Sequence, residues 1–211
     1  MASNSQIKDS LNLNDFLSKH AVFTAEELDR FMSCHGSTNI NTRKSLLTYH
    51  RSRGRIIRIK RGFYASVPVG EDPDSYPVDP FLVAAKMADD SVLAYHTALE
   101  FHGRAYSLYN RLVYTSGRRT ETIRFRSHEY KRVPVPHALK TAGKAMVGVE
   151  IHERTGVALH VTNLERTLVD VLDRPEISGS WEEIWRSLES IEFFDIDQVV
   201  RYVGLLGNAT T

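Results

Sequence analysis

The stretch from Asn41 to Tyr64 constrains the fold of this chain more than any other. It contains eight Lys or Arg residues and no Asp or Glu. Its first half has helical spacing up to Gly54, and its second half alternates as a strand, turns at Arg61–Gly62 and returns through Phe63–Ala65. A basic helix followed directly by a basic hairpin is typical of a winged helix-turn-helix. In that fold the helix enters the major groove of DNA, and the wing lies on phosphate or in the minor groove.

The charge of the chain is divided unevenly along its length. Residues 1–67 hold 11 Lys and Arg against 5 Asp and Glu, whereas residues 68–211 hold 16 against 21. The net charge of +1 therefore conceals a basic first third and an acidic remainder. This distribution is typical of a DNA-contacting module joined to a second domain.

A segment rich in proline and acidic residues separates these two parts. Pro68–Pro77 holds three prolines and three acids, which predicts a linker. Asp79 suits an N-cap and Pro80 suits the first turn of the next helix. The helix stop at Gly207–Asn208 indicates a second domain that continues past the end of this chain. We predict a winged helix-turn-helix over residues 1–67, a linker over 68–79 and an incomplete α+β domain over 80–211.

The second domain combines predicted strands with capped helices. Strands are predicted over residues 111–115, 122–126, 131–133, 148–154 and 157–161. Helices are predicted over 164–172, 181–188 and 196–206, with capping boxes formed by Thr162 and Glu165, Ser180 and Glu183, and Asp195 and Gln198. Two further helices are predicted before these strands, over 81–87 and 97–101. A helix pair followed by a small sheet and further helices predicts an α+β fold.

The basic helix is the predicted recognition helix. Two helices are predicted before it, over Ile7–His20 and Thr24–Met32. Ile40, Leu46 and Leu47 define its buried face, so its polar residues are expected to point outward. The first turn of a recognition helix usually meets the bases, where Arg suits guanine and Ser or Thr is permissive. The alternative is a solvated basic face without a partner.

In the wing, Ile57, Ile59 and Phe63 are predicted to cover a small core while the basic residues between them face phosphate. The alternative for the wing is a structural hairpin in a protein-binding domain. The predicted DNA-binding residues of helix and wing are Thr42, Arg43, Lys44, Ser45, Tyr49, Arg53, Arg55, Arg58, Lys60 and Arg61.

A second basic group lies in the second domain. Arg118 and Arg119 fall in a predicted loop, and Arg124 and Arg126 are two apart, so on a strand they would share one face. These four residues form a second surface for DNA or RNA in one interpretation. In the other they belong to a solvated sheet face with local ion pairs, and the sequence leaves both open.

Signals for catalysis, metals or membranes are weak. His96 and Glu100 lie one helical turn apart, but they do not form the His-Glu-x-x-His motif, and Cys34 is the only cysteine. The chain has no nucleophile elbow and no phosphate-binding glycine loop. We therefore predict no enzyme, no cofactor and no metal. No apolar run approaches 18 residues, so we expect a cytoplasmic protein without a membrane partner.

Several segments together resemble the AbiEi-type antitoxins of bacterial abortive-infection toxin–antitoxin systems. These segments are Phe23–Leu28, Arg58–Tyr64, Asp79–Ala85, Ala94–Leu99 and Val161–Asp170. The resemblance spans about residue 20 to the end of the chain, and the wing and the Tyr-His-Thr-Ala-Leu segment are its more specific parts.

The resemblance implies a type IV antitoxin of a phage-defence system. Its winged helix would bind inverted repeats in its own promoter, with self-association on DNA, and would repress the operon. The implied toxin is nucleotidyltransferase-like. The positions carried over as DNA contacts are Arg43, Lys44, Arg58, Lys60 and Arg61. The alternative is an antitoxin that neutralises the toxin by direct binding, and a third hypothesis is an RNA- or nucleotide-processing enzyme using His96 and Glu100.

Overall fold

The chain folds into two compact units, one ending at Val78 and the other beginning at Asp79. The computed structural model describes residues 13–35 and 39–207. The predicted first helix is thus described from Leu13 onward, and the segment after the predicted stop at Gly207 lies outside the described residues.

The first unit has the element order of a winged helix. Its elements are α1 (Leu13–Lys19), β1 (Val22–Thr24), α2 (Ala25–Cys34), α3 (Ile40–Ser52), β2 (Ile56–Lys60) and β3 (Phe63–Ser66). Within the described residues, the strands form an antiparallel sheet in the order β1-β3-β2. This confirms the predicted winged helix-turn-helix.

Local hydrogen bonds set where the helices of this unit begin. Thr24 and Glu27 form the predicted capping box: Thr24 Oγ1 accepts from the Glu27 amide at 3.2 Å, and Glu27 Oε2 accepts from the Thr24 amide at 2.8 Å. Asn39 caps α3 by accepting from the Asn41 amide. The buried core comprises Leu13, Phe16, Leu17, Phe23, Leu28, Met32, Leu47 and Ile56.

Two details of the predicted core are wrong. Ile40 is 54% exposed, so α3 packs through Leu47 and, in part, Leu46 rather than through its first turn. In the wing, Ile56 and Ile59 are buried, whereas Ile57 is only half-buried. A bulge between Arg58 and Lys60 shifts the register, and it lets two residues three apart face the same side.

Residues 68–78, most of the predicted linker, group with the winged helix. Asp72 organises a turn in which its carboxylate accepts from the Ser75 hydroxyl at 2.9 Å. Pro73 lies against Gly54, where an added Cβ would approach the proline Cγ to 3.0 Å. Tyr76 and Leu17 line the same surface cavity. Residues 68–78 therefore make specific contacts with the first unit.

The second unit is built on a mixed sheet. Its elements are α4 (Pro80–Ala85), β4 (Val92–Leu93), α5 (His96–Phe101), β5 (Arg111–Ser116), β6 (Ile123–Phe125), β7 (His128–Pro134), α6 (His137–Thr141), β8 (Val149–Arg154), β9 (Val157–Thr162), α7 (Leu164–Asp173), α8 (Pro175–Ser178), α9 (Trp181–Glu189) and α10 (Ile196–Leu206). Within the described residues the strand order is β6-β7-β5-β4-β9-β8, with β4 parallel to β9 and β5 parallel to β7. The α+β class predicted from the sequence is confirmed.

The helix starts of this unit agree only in part with the predicted capping boxes. Asn163, not Thr162, caps α7, because its side chain accepts from the Arg166 amide while the Thr162 hydroxyl contacts Thr167. Ser180 caps α9 as predicted. The Glu183 carboxylate, however, does not complete a box there, since it turns inward to His96 and accepts from the Ser107 amide. Asp195 caps α10 as predicted.

A buried ion pair links α7 to α10 and to the loop before β8. Arg166 and Asp170 are 1% and 3% exposed, and their side chains pair at 3.3 Å. Arg166 Nη1 also donates to the carbonyls of Ala145 and Val147, and the Tyr202 hydroxyl donates to Asp170 at 2.7 Å. This i,i+4 ion pair therefore lies in the core rather than on the helix surface.

Candidate nucleic-acid interface

Helix α3 contains five of the residues predicted to contact DNA and exposes four of them. Thr42, Lys44, Ser45 and Tyr49 are all exposed. Thr42 and Ser45 lie in the first turns, directly after the Asn39 cap, which is where a recognition helix meets base edges. This end of α3 therefore presents short hydroxyl side chains beside one lysine.

The structure gives Arg43 a different orientation from the predicted one. Its guanidinium pairs with Asp29 on α2, and its side chain is only 19% exposed. Arg43 therefore links the two helices of the helix-turn-helix instead of pointing outward. The sequence contains no local signal of this pairing, because Asp29 lies 14 residues before Arg43.

The end of α3 carries two arginines with different environments. Arg53 is exposed, and its guanidinium lies 5.1 Å from the centre of the Tyr49 ring. Arg55 is half-buried and donates to the Val67 carbonyl at 3.1 Å, so it helps to close the sheet. Burial and, after it, the positive charge of Arg55 lower the pKa of the His50 imidazole. The positive charge of this region therefore comes from Lys and Arg at neutral pH.

The wing presents its basic residues around one tight turn. Arg58 and Arg61 are exposed, whereas Lys60 is half-buried. Gly62 has φ +75°, a conformation that glycine adopts without strain. The Gly62 carbonyl accepts from the Ala25 amide at 2.8 Å, which fixes the wing tip to the start of α2. The wing is thus a positioned hairpin with outward arginines.

The second basic group does not form one continuous surface. Arg118 and Arg119 follow the end of β5, where Arg118 pairs with exposed Asp89 at 2.9 Å. Arg124 and Arg126 lie at the other end of the sheet, beside the beginnings of β5 and β7. Arg126 is in the turn after β6 with φ +53°, so the predicted shared strand face is wrong.

His96 and Glu100 lie inside the second unit. Their side chains are 2% and 6% exposed, and His96 Nδ1 lies 2.9 Å from Glu100 Oε1 without good hydrogen-bond geometry. His96 Nε2 lies 3.0 Å from Glu183 Oε1, and its ring stacks on Tyr109. Across the described residues, no group of three or more His, Cys, Asp or Glu side chains has metal-binding geometry. This cluster therefore supports the surrounding loop rather than meeting solvent.

Sequence reasoning missed Glu183 as the centre of this cluster. Its carboxylate accepts from the Ser107 amide at 2.9 Å and from the Ser187 hydroxyl at 3.2 Å. Burial raises the pKa of Glu183, but the hydrogen bonds from Ser107 and His96 outweigh it, and the net pKa is lowered. The residue fits a capping box so well that no second role was visible in the sequence.

Comparison with known proteins identifies the first unit more specifically than the second. Residues 13–67 match the family model described as "Transcriptional regulator, AbiEi antitoxin". The whole fold is similar to the crystal structure of the RV2827C protein from Mycobacterium tuberculosis, with a TM-score of 0.57 and 18% identity, over 91% of this chain and 70% of that one. At this identity the likeness concerns the fold alone. No curated protein matches the chain.

The family match covers the whole winged helix, from α1 through β3. In the part of the chain that the structure describes, each helix is too short or too polar to cross a membrane. The resemblance drawn from the sequence is confirmed, because the matched residues include the capping box of α2, the recognition helix and the wing. Residues 13–67 of this chain therefore match the AbiEi antitoxin family of transcriptional regulators.

Proposed function

We propose that this protein is an antitoxin that binds the DNA upstream of its own gene and represses its operon. One observation carries the proposal: four basic side chains of α3, its C-cap and the wing are exposed, and together they form the proposed basic strip, Lys44, Arg53, Arg58 and Arg61. The segment 41–64 holds no acidic residue that would repel a phosphate backbone. Together with the family match, this strip favours DNA over an acidic protein surface.

The proposed contacts divide into base-reading and phosphate-binding residues. Thr42 and Ser45 reach base edges from the first turns of α3, with Lys44 beside them. Arg58 and Arg61 bind phosphate from the wing. Each such contact releases condensed cations, so affinity falls steeply with salt. Lys60 and Tyr49 flank these contacts.

Arg43 and Arg55 have a positioning role in this proposal. Arg43 holds α3 against α2 through Asp29, and Arg55 holds the base of the wing through the Val67 carbonyl. Their charges add to the local potential, but their guanidinium groups serve the fold. The operator is expected to contain inverted repeats, on which two copies would bind side by side.

A reporter gene fused to the DNA upstream of this gene tests the regulatory role. We expect the wild-type chain to repress the reporter, and we expect the double substitution Thr42→Ala and Ser45→Ala to relieve repression. Ser33→Ala is the matched control, because Ser33 is an exposed hydroxyl on α2. Repression by the double variant equal to the wild type would remove α3 from the proposed interface.

Direct neutralisation of a nucleotidyltransferase-like toxin is the second candidate function. It is favoured by the apolar surface of the last helices, where Trp181, Trp185, Phe193, Ile196 and Val200 are between 61% and 78% exposed. Exposed apolar side chains that lie together usually mark a protein interface, and these five residues fall within the last two helices and the segment between them. A partner that binds here would need to tolerate the neighbouring acidic residue Glu182.

Co-expression with the neighbouring gene product tests this second function. Stable co-elution of both proteins would support direct neutralisation, and Trp185→Ser should then abolish the complex. Glu189→Gln, an exposed residue on the same helix, is the control. Toxin neutralisation without co-elution, and unaffected by Trp185→Ser, would contradict direct binding through this face.

A further inference from the structure

A cleft of about 570 Å³ opens in the second unit where β5 and β7 begin and β6 ends. We propose that this cleft binds the terminal phosphate group of a nucleotide, carried by a free nucleoside phosphate or by the phosphorylated end of a nucleic-acid strand. The lining residues that carry the argument are Leu108, Tyr109, Arg111, Arg124, Arg126 and Glu129.

Three charged residues on neighbouring strands line the cleft: Arg111 on β5, Glu129 on β7 and Arg124 on β6. Glu129 pairs in register with Arg111 on β5 and with Arg124 on β6. Its carboxylate accepts from Arg111 Nε at 2.9 Å and from Arg124 Nη2 at 3.3 Å. The hydrogen bond from Arg111, against a smaller opposing effect of burial, lowers the pKa of Glu129. A guanidinium has five N–H donors, so one carboxylate orients two arginines without exhausting them.

Arg126 contributes a third guanidinium from a position where arginine is unusual. Phe125 pairs with His128, so Arg126 and Ser127 form the two-residue turn between β6 and β7. Arg126 has a φ of +53°. Positions with a positive φ in such turns are usually occupied by glycine, asparagine or aspartate. The chain places an arginine there, and its side chain lines the cleft. Local strain of this kind often marks a residue kept for function.

The opposite wall of the cleft is a loop held by buried polar side chains. Tyr109 is half-buried and lines the cleft, and its ring stacks on His96 with centroids 4.0 Å apart. The backbone amides of residues 106, 107 and 109 donate, each at 2.9 Å, to Ser187 Oγ, Glu183 Oε1 and Glu100 Oε1 respectively. Support from a buried second layer of residues pre-organises a binding loop before the ligand arrives.

The charge and size of the cleft favour a phosphate monoester. The lining holds three arginines and one glutamate, so its formal charge is positive and suits a monoester dianion. The volume lies within the range of small-ligand sites. Leu108, at 85% exposed, and Tyr109 offer an apolar and aromatic wall for the base. A concave site suits a chain end better than a continuous phosphodiester backbone, which follows open grooves.

Calorimetric titration of the full chain tests the proposal without operator DNA, so its result is separate from that of the regulatory proposal. The probes are nucleoside monophosphates and triphosphates, pyrophosphate, and one short oligonucleotide with either a phosphorylated or a hydroxyl end. Saturable binding of the free nucleotides would identify a nucleoside phosphate as the ligand. Binding confined to the phosphorylated oligonucleotide identifies a strand end, and either result supports the proposal.

Substitution of the arginines locates the binding. We expect Arg126→Gln and Arg124→Gln each to weaken binding by about tenfold or more, the scale of one charge-assisted hydrogen bond. Both residues are exposed, so the variants should melt like the wild type. Arg119→Gln, an exposed arginine at the other end of β5, should leave binding unchanged. Three results would overturn the proposal: no phosphorylated probe binds, Arg119→Gln weakens binding equally, or a polyglutamate peptide binds as tightly as the nucleotides.

Discussion

At the scale of single residues, charged side chains act through partners that are distant in sequence. Arg43 is positioned by Asp29 on another helix, and Glu183 accepts from Ser107 across 76 residues. Arg166 is fully buried because Asp170 and two backbone carbonyls compensate its charge. Each of these residues has a simple local interpretation in the sequence, and each does something more in the fold. The energetic consequences can be measured one substitution at a time.

The ion pair in the core of the second unit should be sensitive to loss of its acid. Asp170→Asn leaves the buried guanidinium of Arg166 without a counter-charge, which typically costs about 3–5 kcal/mol of folding free energy. Tyr202→Phe removes only one hydrogen bond and should cost about 1–2 kcal/mol. Urea denaturation of both variants provides the comparison. Equal, small losses would show that the Arg166 charge is solvated.

The Glu183 carboxylate should stabilise the fold in a pH-dependent way. Because its pKa is lowered in the folded state, its stabilisation is present above the ordinary value of 4.5 and is lost as pH falls through the lowered pKa. Glu183→Gln should therefore cost about 1–3 kcal/mol at neutral pH and progressively less as the pH falls below 4.5. Glu189→Gln, exposed on the same helix, should change stability little at either pH. A cost for Glu183→Gln that is independent of pH would contradict this role.

At the scale of elements, the wing shows how backbone geometry positions the basic residues. The bulge between Arg58 and Lys60 turns Ile56 and Ile59 inward together, which leaves Arg58 exposed. The positive φ of Gly62 closes the turn, and its carbonyl accepts from α2. The hairpin is thereby fixed to the helix-turn-helix at its tip as well as along β3.

Gly62→Ala should destabilise the first unit through backbone conformation alone. The nearest atom to an added Cβ is 3.9 Å away, so no clash is expected, but a φ of +75° costs an alanine about 1 kcal/mol. Gly204→Ala is the matched control, because this glycine lies inside α10 with open space around it and should be neutral or stabilising. Thermal unfolding of the two variants measures the difference. An unchanged melting temperature for Gly62→Ala would mean that the turn can change its backbone conformation without cost.

At the scale of the whole molecule, the chain comprises a winged helix with an added segment and a mixed α+β unit. The winged helix could be predicted because its signals are local: a capping box, a basic helix and a hairpin turn. The second sheet could be predicted only as separate strands, since its neighbours are distant in sequence and β5 lies between β7 and β4. The cleft with Arg124 and Arg126 depends on that strand order. The contacts of residues 68–78 with the first unit could not be predicted, because the segment has the proline-rich and acidic composition of a linker.

The boundary of the first unit should be visible in its stability. Pro73 lies against Gly54 and Tyr76 lines a cavity together with Leu17, so a chain ending at Val78 should melt at a higher temperature than one ending at Val67. The difference arises from the apolar surface that these residues cover. Circular dichroism melting of both truncated chains measures it. Identical melting temperatures would show that residues 68–78 behave as a free linker.

The central claim is that the strip from α3 to the wing binds DNA in a sequence-selective way. The most direct measurement is a fluorescence anisotropy titration of the full chain on the DNA upstream of its gene, and on scrambled DNA, at several salt concentrations. We expect tighter binding to the native sequence and a steep salt dependence. Arg58→Gln and Arg61→Gln should each lower the salt slope by about one, while Arg30→Gln on α2 should not. Equal binding to both DNAs, with a slope unaffected by the wing substitutions, would contradict the claim.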